Sequence, residues 1–250
     1  MIVSHSQRFL FLKPRKTAGT TVEVALSPLL GPGDRATLIE PEEESLRQVN
    51  PGVIVGQIRY RHHLLPRRLR DHSTLSSAVA CFGPGILDYR LISMSRNPWD
   101  RAVSQFFWSM RHGDLREQDF DQQRAAFRAY TLKWAPRTWL DPLYGRKRQR
   151  TASAAGMYSL GRRVMADYFI RFECLAQDLH DLGGFLGMPP IALPEKRFKS
   201  TQRKASRPWQ DFFDADTRDL IARECATEIA LLGYGFDDPM PKGGPLHQRD

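Results

Sequence analysis

Residues Arg8 to Leu26 read RFLFLKPRKTAGTTVEVAL. The apolar run Phe9–Leu12 has the length and composition of a buried parallel strand. From Thr20 to Leu29 the apolar positions recur at helical spacing. Between them lies a short loop, Lys13-Pro14-Arg15-Lys16-Thr17-Ala18-Gly19, crowded with cations and small residues. A strand, a tight loop and a helix in that order can hold a phosphate or sulfate against the unpartnered N–H groups of the helix start. Lys16 reaches an anion as a point charge, Gly19 permits close backbone approach, and Thr17, Thr20 and Thr21 offer hydroxyls. An ordinary Thr-capped helix would need neither the glycine nor three flanking cations. The loop is not GxxxxGK[ST], which counts against Walker-type nucleotide chemistry.

A second strand, loop and helix follow further along the chain. Tyr89–Met94 (YRLISM) reads as a strand, and Pro98–His112 as a strongly patterned helix. Asn97 is a good N-cap, Pro98 suits the first helical position, and Asp100 favours the positive end. Trp99, Val103, Phe106 and Met110 share an apolar face. Arg96 and Ser104 converge from the strand end and the second helical turn, so one anion can meet both. Taken alone, a capped helix with an exposed arginine explains this stretch equally well.

The other segments fill in the organisation. GPGDRATLIEPEEE is a turn-rich, acidic stretch. Short helices are expected at His63 to about Arg70 and at Leu75–Phe82, with a longer one over Phe120–Trp134. Residues 136–156 form an irregular basic insertion containing RKRQR at 146–150. Tyr168–Phe172 is a further strand, followed by a helix from Leu175 to Leu186. A basic loop, EKRFKSTQRKASRP, precedes a last helix from Asp214 to Leu232, with a flexible tail from about residue 237. Strands alternating with helices imply one α/β domain over residues 1–250, built on a central, mostly parallel sheet flanked by helices.

Composition sets the class of partner. The formal charge of +9 over 250 residues points to anionic ligands: nucleotide, glycan, nucleic acid or a membrane surface. No zinc finger, RNA-binding strand motif or clear helix-turn-helix supports nucleic acid. Cys81, Cys174 and Cys225 are widely spaced, with no CxxC, which fits reduced thiols rather than disulfides or zinc. No segment approaches 18 apolar residues, so neither a signal peptide nor a membrane span is expected, and a cytoplasmic location is. No DxD or paired-carboxylate cluster calls for a metal.

At this point the residues carry a resemblance. KTAGTT resembles the 5′-phosphosulfate loop of sulfotransferases that use 3′-phosphoadenosine 5′-phosphosulfate (PAPS), whose core reads PKTAGT[ST]. Arg15 stands where the family usually has proline, and Pro14 lies one place earlier. RNPWDRAVS, Arg96 to Ser104, resembles the 3′-phosphate motif of the same family, R-[ND]-P-x-x-R-x-x-S. The resemblance implies a P-loop NTPase-like three-layer fold and PAPS as co-substrate, with 3′-phosphoadenosine 5′-phosphate (PAP) as product. It places Arg15, Lys16, Thr17, Ala18, Gly19, Thr20 and Thr21 around the 5′ group, and Arg96 and Ser104 on the 3′-phosphate. Arg101 is then a structural or secondary contact. Lys199, Ser200, Arg203 and Lys204 fall where relatives close a basic loop over the nucleotide. YFIRFE and LLGYGFD match two weaker family segments, with Arg171 and Glu173 as an expected structural ion pair.

Sulfuryl transfer needs in-line geometry, charge stabilisation at the leaving phosphate and a base for the acceptor hydroxyl. Lys16 fits the second role. RYRHHLLPRRLRD resembles a bacterial pattern, H-M-P-A-x-x-I-R, and aligning on Leu69-Arg70 selects His63 over His62 as base. A helix-capping or nucleotide-side histidine is the plainer alternative, and Glu23 is the second candidate base. Relatedness makes the acceptor a carbohydrate hydroxyl. A P-loop-like kinase and a non-enzymatic polyanion binder remain open as other readings.

Overall fold

The computed structural model describes residues 1–62, 65–133, 153–194 and 207–249. Its first strands and helices are β1 (Ile2–Ser4), β2 (Phe9–Phe11), α1 (Gly19–Leu26), β3 (Arg35–Ala36), α2 (Pro41–Glu44) and β4 (Ile54–Val55). Next come β5 (Ile58–His62), β6 (Leu65–Leu69), α3 (Leu75–Phe82), β7 (Arg90–Ser95), α4 (Pro98–Ser109) and α5 (Phe120–Leu132). The chain continues through α6 (Ala155–Tyr158), β8 (Ser159–Leu160), β9 (Arg163–Val164) and β10 (Tyr168–Arg171). It closes with α7 (Leu175–Leu186), α8 (Ala215–Glu224) and α9 (Ala226–Leu232). Two compact units result, one of Met1–Ser95, Ala155–Lys199 and Gly244–Asp250, the other of Arg96–Ala154 and Ser200–Gly243.

The first unit is α/β. Among the described residues its sheet has six strands in the order β10-β7-β2-β1-β3-β4. β10 and β2 both pair parallel with β7, Tyr168 and Phe11 each lying opposite Ile92. β3 pairs parallel with β4, whereas β1 runs antiparallel to both its neighbours. Only β1 therefore opposes the common direction, and the sheet is mostly parallel. The sharp turn from β1 to β2 is organised by Asp34, which accepts from the Ser4 and Ser6 hydroxyls and the Ser6 amide.

Both sheet faces are covered, as parallel strands require. Phe9, Phe11, Ile92, Met94 and Ile170 point to one face, where they pack with Val22 and Leu26 of α1 and Leu179, Leu182 and Leu186 of α7. The alternate residues point to the other face. There Phe169 meets the ring of Tyr158, from α6, edge-on at 5.0 Å. These layers match the α/β architecture expected from the sequence.

The second unit is helical. Phe106 on α4 contacts Phe127 and Tyr130 on α5, and Phe127 stacks edge-on against Phe213 at 4.9 Å. Such edge-to-face pairs add directional attraction to apolar burial. Asn97 caps α4 by accepting from the Trp99 amide, while Asp119 and Asp214 each close a capping box on α5 and α8.

Three sequence expectations change. The helix expected at His63 to Arg70 is instead the second strand of a hairpin: β5 and β6 pair antiparallel from Ile58↔Leu69 to His62↔Leu65. Its spacing looked helical because Leu65 and Leu69 are four apart, but Ile58 and Leu69 are buried opposite one another, the mark of a strand pair. The helix expected over Asp214–Leu232 breaks at Cys225, whose backbone leaves the helical region. Finally, residues 245–249 do not hang free. Leu246 bridges Tyr168, the Phe169 amide donates to the Pro245 carbonyl, and Arg249 pairs with Asp167.

Candidate anion-binding site

The loop from Leu12 to Ala18 leaves the carboxyl end of β2 and delivers the chain into α1. β7 lies beside β2 and runs parallel to it, so the chain leaves both strands at the same edge of the sheet. Ligands of open α/β sheets gather at such an edge.

Two non-glycine residues in the loop adopt left-handed backbone conformations, Lys16 at φ 63° and Ala18 at φ 64°. Each costs about 1–3 kcal/mol and persists only where the surroundings impose it. Alternation of this kind curls successive N–H groups into a concave nest for an anion. Ala18 occupies the N-cap of α1, no side chain caps that helix, and its first turn carries no acidic residue. Its positive end is thus kept clear of protein carboxylates.

The remaining loop side chains divide by role. Arg15 is exposed, and Lys16, Ala18 and Thr20 are half-buried, while Thr17, Gly19 and Thr21 are buried. Thr17 turns its hydroxyl inward to the Pro14 carbonyl at 2.9 Å, so it braces the loop. Gly19 also makes room for a neighbouring side chain. A Cβ there would lie 1.9 Å from Cγ of Lys13, whose stem fills that space.

Beneath the loop sits a charged cluster that the sequence reading did not assemble. Lys13 Nζ lies 2.7 Å from Glu23 Oε2 and 3.7 Å from Asp71 Oδ2. Arg47 approaches the same Glu23 oxygen at 3.7 Å, and the Met1 nitrogen contacts Oε1. Burial alone would raise the Glu23 pKa, but the Met1 ammonium and Lys13 outweigh it and hold the carboxyl at about 2. Glu23 is wholly buried and engaged as a counter-ion, which fits its role poorly as a base.

His72 joins this cluster from the far side of the hairpin. Its Nδ1 lies 2.8 Å from the Lys13 carbonyl oxygen, which can only accept, so Nδ1 carries the proton. Nε2, 3.1 Å from Asp71 Oδ2, is then the end that takes up or releases a proton. Desolvation, opposed by Asp71 and reinforced by Lys13 and Arg15, lowers its pKa to about 4. The signal in the sequence was the adjacent Asp71-His72 pair just before the Thr74 cap of α3. The first histidine choice, His63, lies outside the described residues, as do the insertion's RKRQR and Lys199, Ser200, Arg203 and Lys204.

The second motif belongs to the helical unit. Arg96 forms an i,i+4 ion pair with Asp100, at 2.7 Å, and Ser104 is half-buried one turn further on. Arg101, expected as a structural or secondary contact, is buried and donates to Glu228 at 3.2 Å. In the first unit Arg171 grips Asp178 through two nitrogens.

No protein-family model and no curated protein matches the chain. Among solved structures, mouse sulfotransferase SULT7A1 complexed with PAP is similar to it at 14% identity, over 88% of this chain and 85% of that one, with a TM-score of 0.40. Among the described residues no helix is long and apolar enough to cross a membrane, and no group of three His, Cys, Asp or Glu side chains gathers as for a metal.

Proposed function

We propose that this protein is a sulfotransferase that moves a sulfuryl group from PAPS to an acceptor hydroxyl of a carbohydrate. The observation that carries the reading is the loop before α1: a left-handed Lys16, a left-handed Ala18 and a helix start capped by no side chain. That arrangement suits a tetrahedral anion, and KTAGTT supplies it without a Walker lysine. PAPS, when bound, supplies the activated sulfuryl group and a phosphate leaving group.

The loop's backbone N–H groups and the positive end of α1 orient the 5′ end of the donor. Arg15, Thr20 and Thr21 border that position, and Lys16 neutralises the charge that grows on the leaving phosphate oxygen. In this reading Arg96 and Ser104 take the 3′-phosphate, with Asp100 orienting the guanidinium. Lys199, Arg203 and Lys204 complete the nucleotide contacts. His63 is assigned as the base for the acceptor hydroxyl. His72, with Nδ1 held by the Lys13 carbonyl and Nε2 facing Asp71, is the described histidine to compare with it.

The test is ligand-induced stabilisation. PAP raises the melting temperature, while ADP and ATP, which lack a 3′-phosphate, shift it far less. Equal shifts with PAP and ADP would remove the assignment of Arg96 and Ser104. Donor-dependent transfer of radiolabelled sulfate to a glycan panel then reads the activity itself.

A further inference from the structure

The β5–β6 hairpin concentrates arginine to an unusual degree. Arg59, Arg61, Arg67 and Arg68 all lie on its two strands and are exposed, and Arg70 follows directly. The register sorts them. Arg59 stands opposite Arg68, and Arg61, two residues along, shares their face. Tyr60 and Arg67 occupy the opposite face, with Ile58 and Leu69.

A cross-strand pair of like charges destabilises a hairpin. Among the described residues, the guanidinium groups of Arg59, Arg61, Arg68 and Arg70 meet no carboxylate and no other hydrogen-bond acceptor of the chain. Their charge is left for something outside the chain.

Arg68 of that face and the following Arg70 line a cleft of 310 Å³, together with Thr37, Gln57, Leu69 and Asp71, among others. Asp71 is also the carboxylate that meets Lys13 and His72 beneath the anion-binding loop. The cleft therefore runs from the arginine face to within one side chain of the residue that opens the loop. A molecule held by the arginines would extend toward the place where the transferred group is delivered.

From this juxtaposition we infer that the β5–β6 hairpin and its cleft bind the acceptor, and that the acceptor is an oligosaccharide already carrying anionic groups, carboxylate or sulfate. Planar guanidiniums engage such groups through paired N–H donors, and a row of them reads spaced charges along an extended chain. The inference rests on the sulfotransferase reading for what the bound molecule then undergoes, but the binding itself does not depend on the donor.

The experiment measures binding of a uronate-containing tetrasaccharide by calorimetry at fixed ionic strength. Its arms are the same tetrasaccharide with its carboxyls reduced to alcohols, and a sulfated, carboxyl-reduced form that separates the two anionic chemistries. Either anionic form is expected to bind and the neutral form to bind at least roughly tenfold more weakly, as loss of two charge-assisted contacts implies. The double variant Arg59→Ser/Arg68→Ser should lose affinity to a similar degree. Its melting temperature should hold or rise, because a repulsive pair is removed. Arg67→Ser, on the opposite face, controls for bulk charge, and Arg59→Lys/Arg68→Lys retains charge where the serine variant folds poorly.

Equal binding of neutral and anionic forms would overturn the inference. So would an equal loss in Arg67→Ser, or unchanged binding in both double variants. PAP stabilisation of the same samples is scored separately. Acceptor binding without a PAP shift would sink the sulfotransferase reading and leave the arginine site standing.

Discussion

Lys13 and Glu23 form a buried ion pair that ties the end of β2 to the second turn of α1, with Nζ 2.7 Å from Oε2. The stem of the same lysine occupies the space above Gly19. The anion-binding loop is thus clamped from below by a charge pair and a missing side chain acting together.

Gly19→Ala should destabilise the fold by about 1–3 kcal/mol, the usual cost of forcing a methyl group into filled space. Lys13→Ala should cost about 3–5 kcal/mol, because it removes one partner of a buried pair. The two effects share one space, so in urea denaturation the double variant should cost clearly less than their sum. Additive losses would show that the lysine stem does not fill the glycine's position.

Glu23 gives acid sensitivity of a defined sign. Its folded pKa, about 2, lies below the ordinary 4.5, so its contribution is present above pH 4.5 and is lost as pH falls toward 2. Glu23→Gln should be markedly less stable than wild type at pH 7, with the gap narrowing between pH 4.5 and 2. A gap independent of pH would contradict the pairing.

His72 should titrate near 4 rather than 6.5. The neutral form is the one favoured by folding, so its contribution is complete above pH 6.5 and declines as pH falls through 4. Heteronuclear NMR of the ring nitrogens should show the Nδ1–H tautomer at pH 7. An Nε2–H signal would break the bond assigned to the Lys13 carbonyl.

On the proposed sulfotransferase reading, Lys16→Ala should lower sulfate transfer by roughly 10²–10³-fold, in line with removal of a group that stabilises transition-state charge. PAP should still raise its melting temperature, since the backbone of the loop and α1 remains. Loss of both readouts together would make Lys16 a binding residue only.

Arg101→Ala tests the assignment of this arginine to structure. Glu228 accepts from Arg101, the Ser153 hydroxyl and the Ala154 amide, and removing the guanidinium leaves it buried without its cation. A loss of about 3–5 kcal/mol is expected in urea denaturation. A change below 1 kcal/mol would point to a role elsewhere.

Much of this was readable from residue order. Strands β2 and β7 announce themselves as apolar runs, and Asn97-Pro98 marks the start of α4 because local capping chemistry decides it. The short β1 was missed, since three residues carry too little periodicity and depend on Asp34, thirty positions away, for their turn. The β5–β6 hairpin was misread because Leu65 and Leu69 satisfy helical spacing, and only pairing with Ile58 settles the period. Asp71 and His72 are adjacent in sequence, but only tertiary packing brings them to Lys13, so the pair alone did not show what it would meet. Gly19 was read as allowing close backbone approach; that the Lys13 stem also fills the space of its missing side chain could not be read from the sequence, because the contact is tertiary.

Among the described residues β10 is the outermost strand on its side of the sheet, and residues 245–249 lie along it with backbone bonds at Pro245 and His247. Uncovered, that strand would offer a row of unmet amides and carbonyls to any other extended chain. The segment therefore works as a guard against polymerisation. Cleavage before Pro245 would leave the loop before α1 intact yet bare an edge prone to join its neighbours strand to strand.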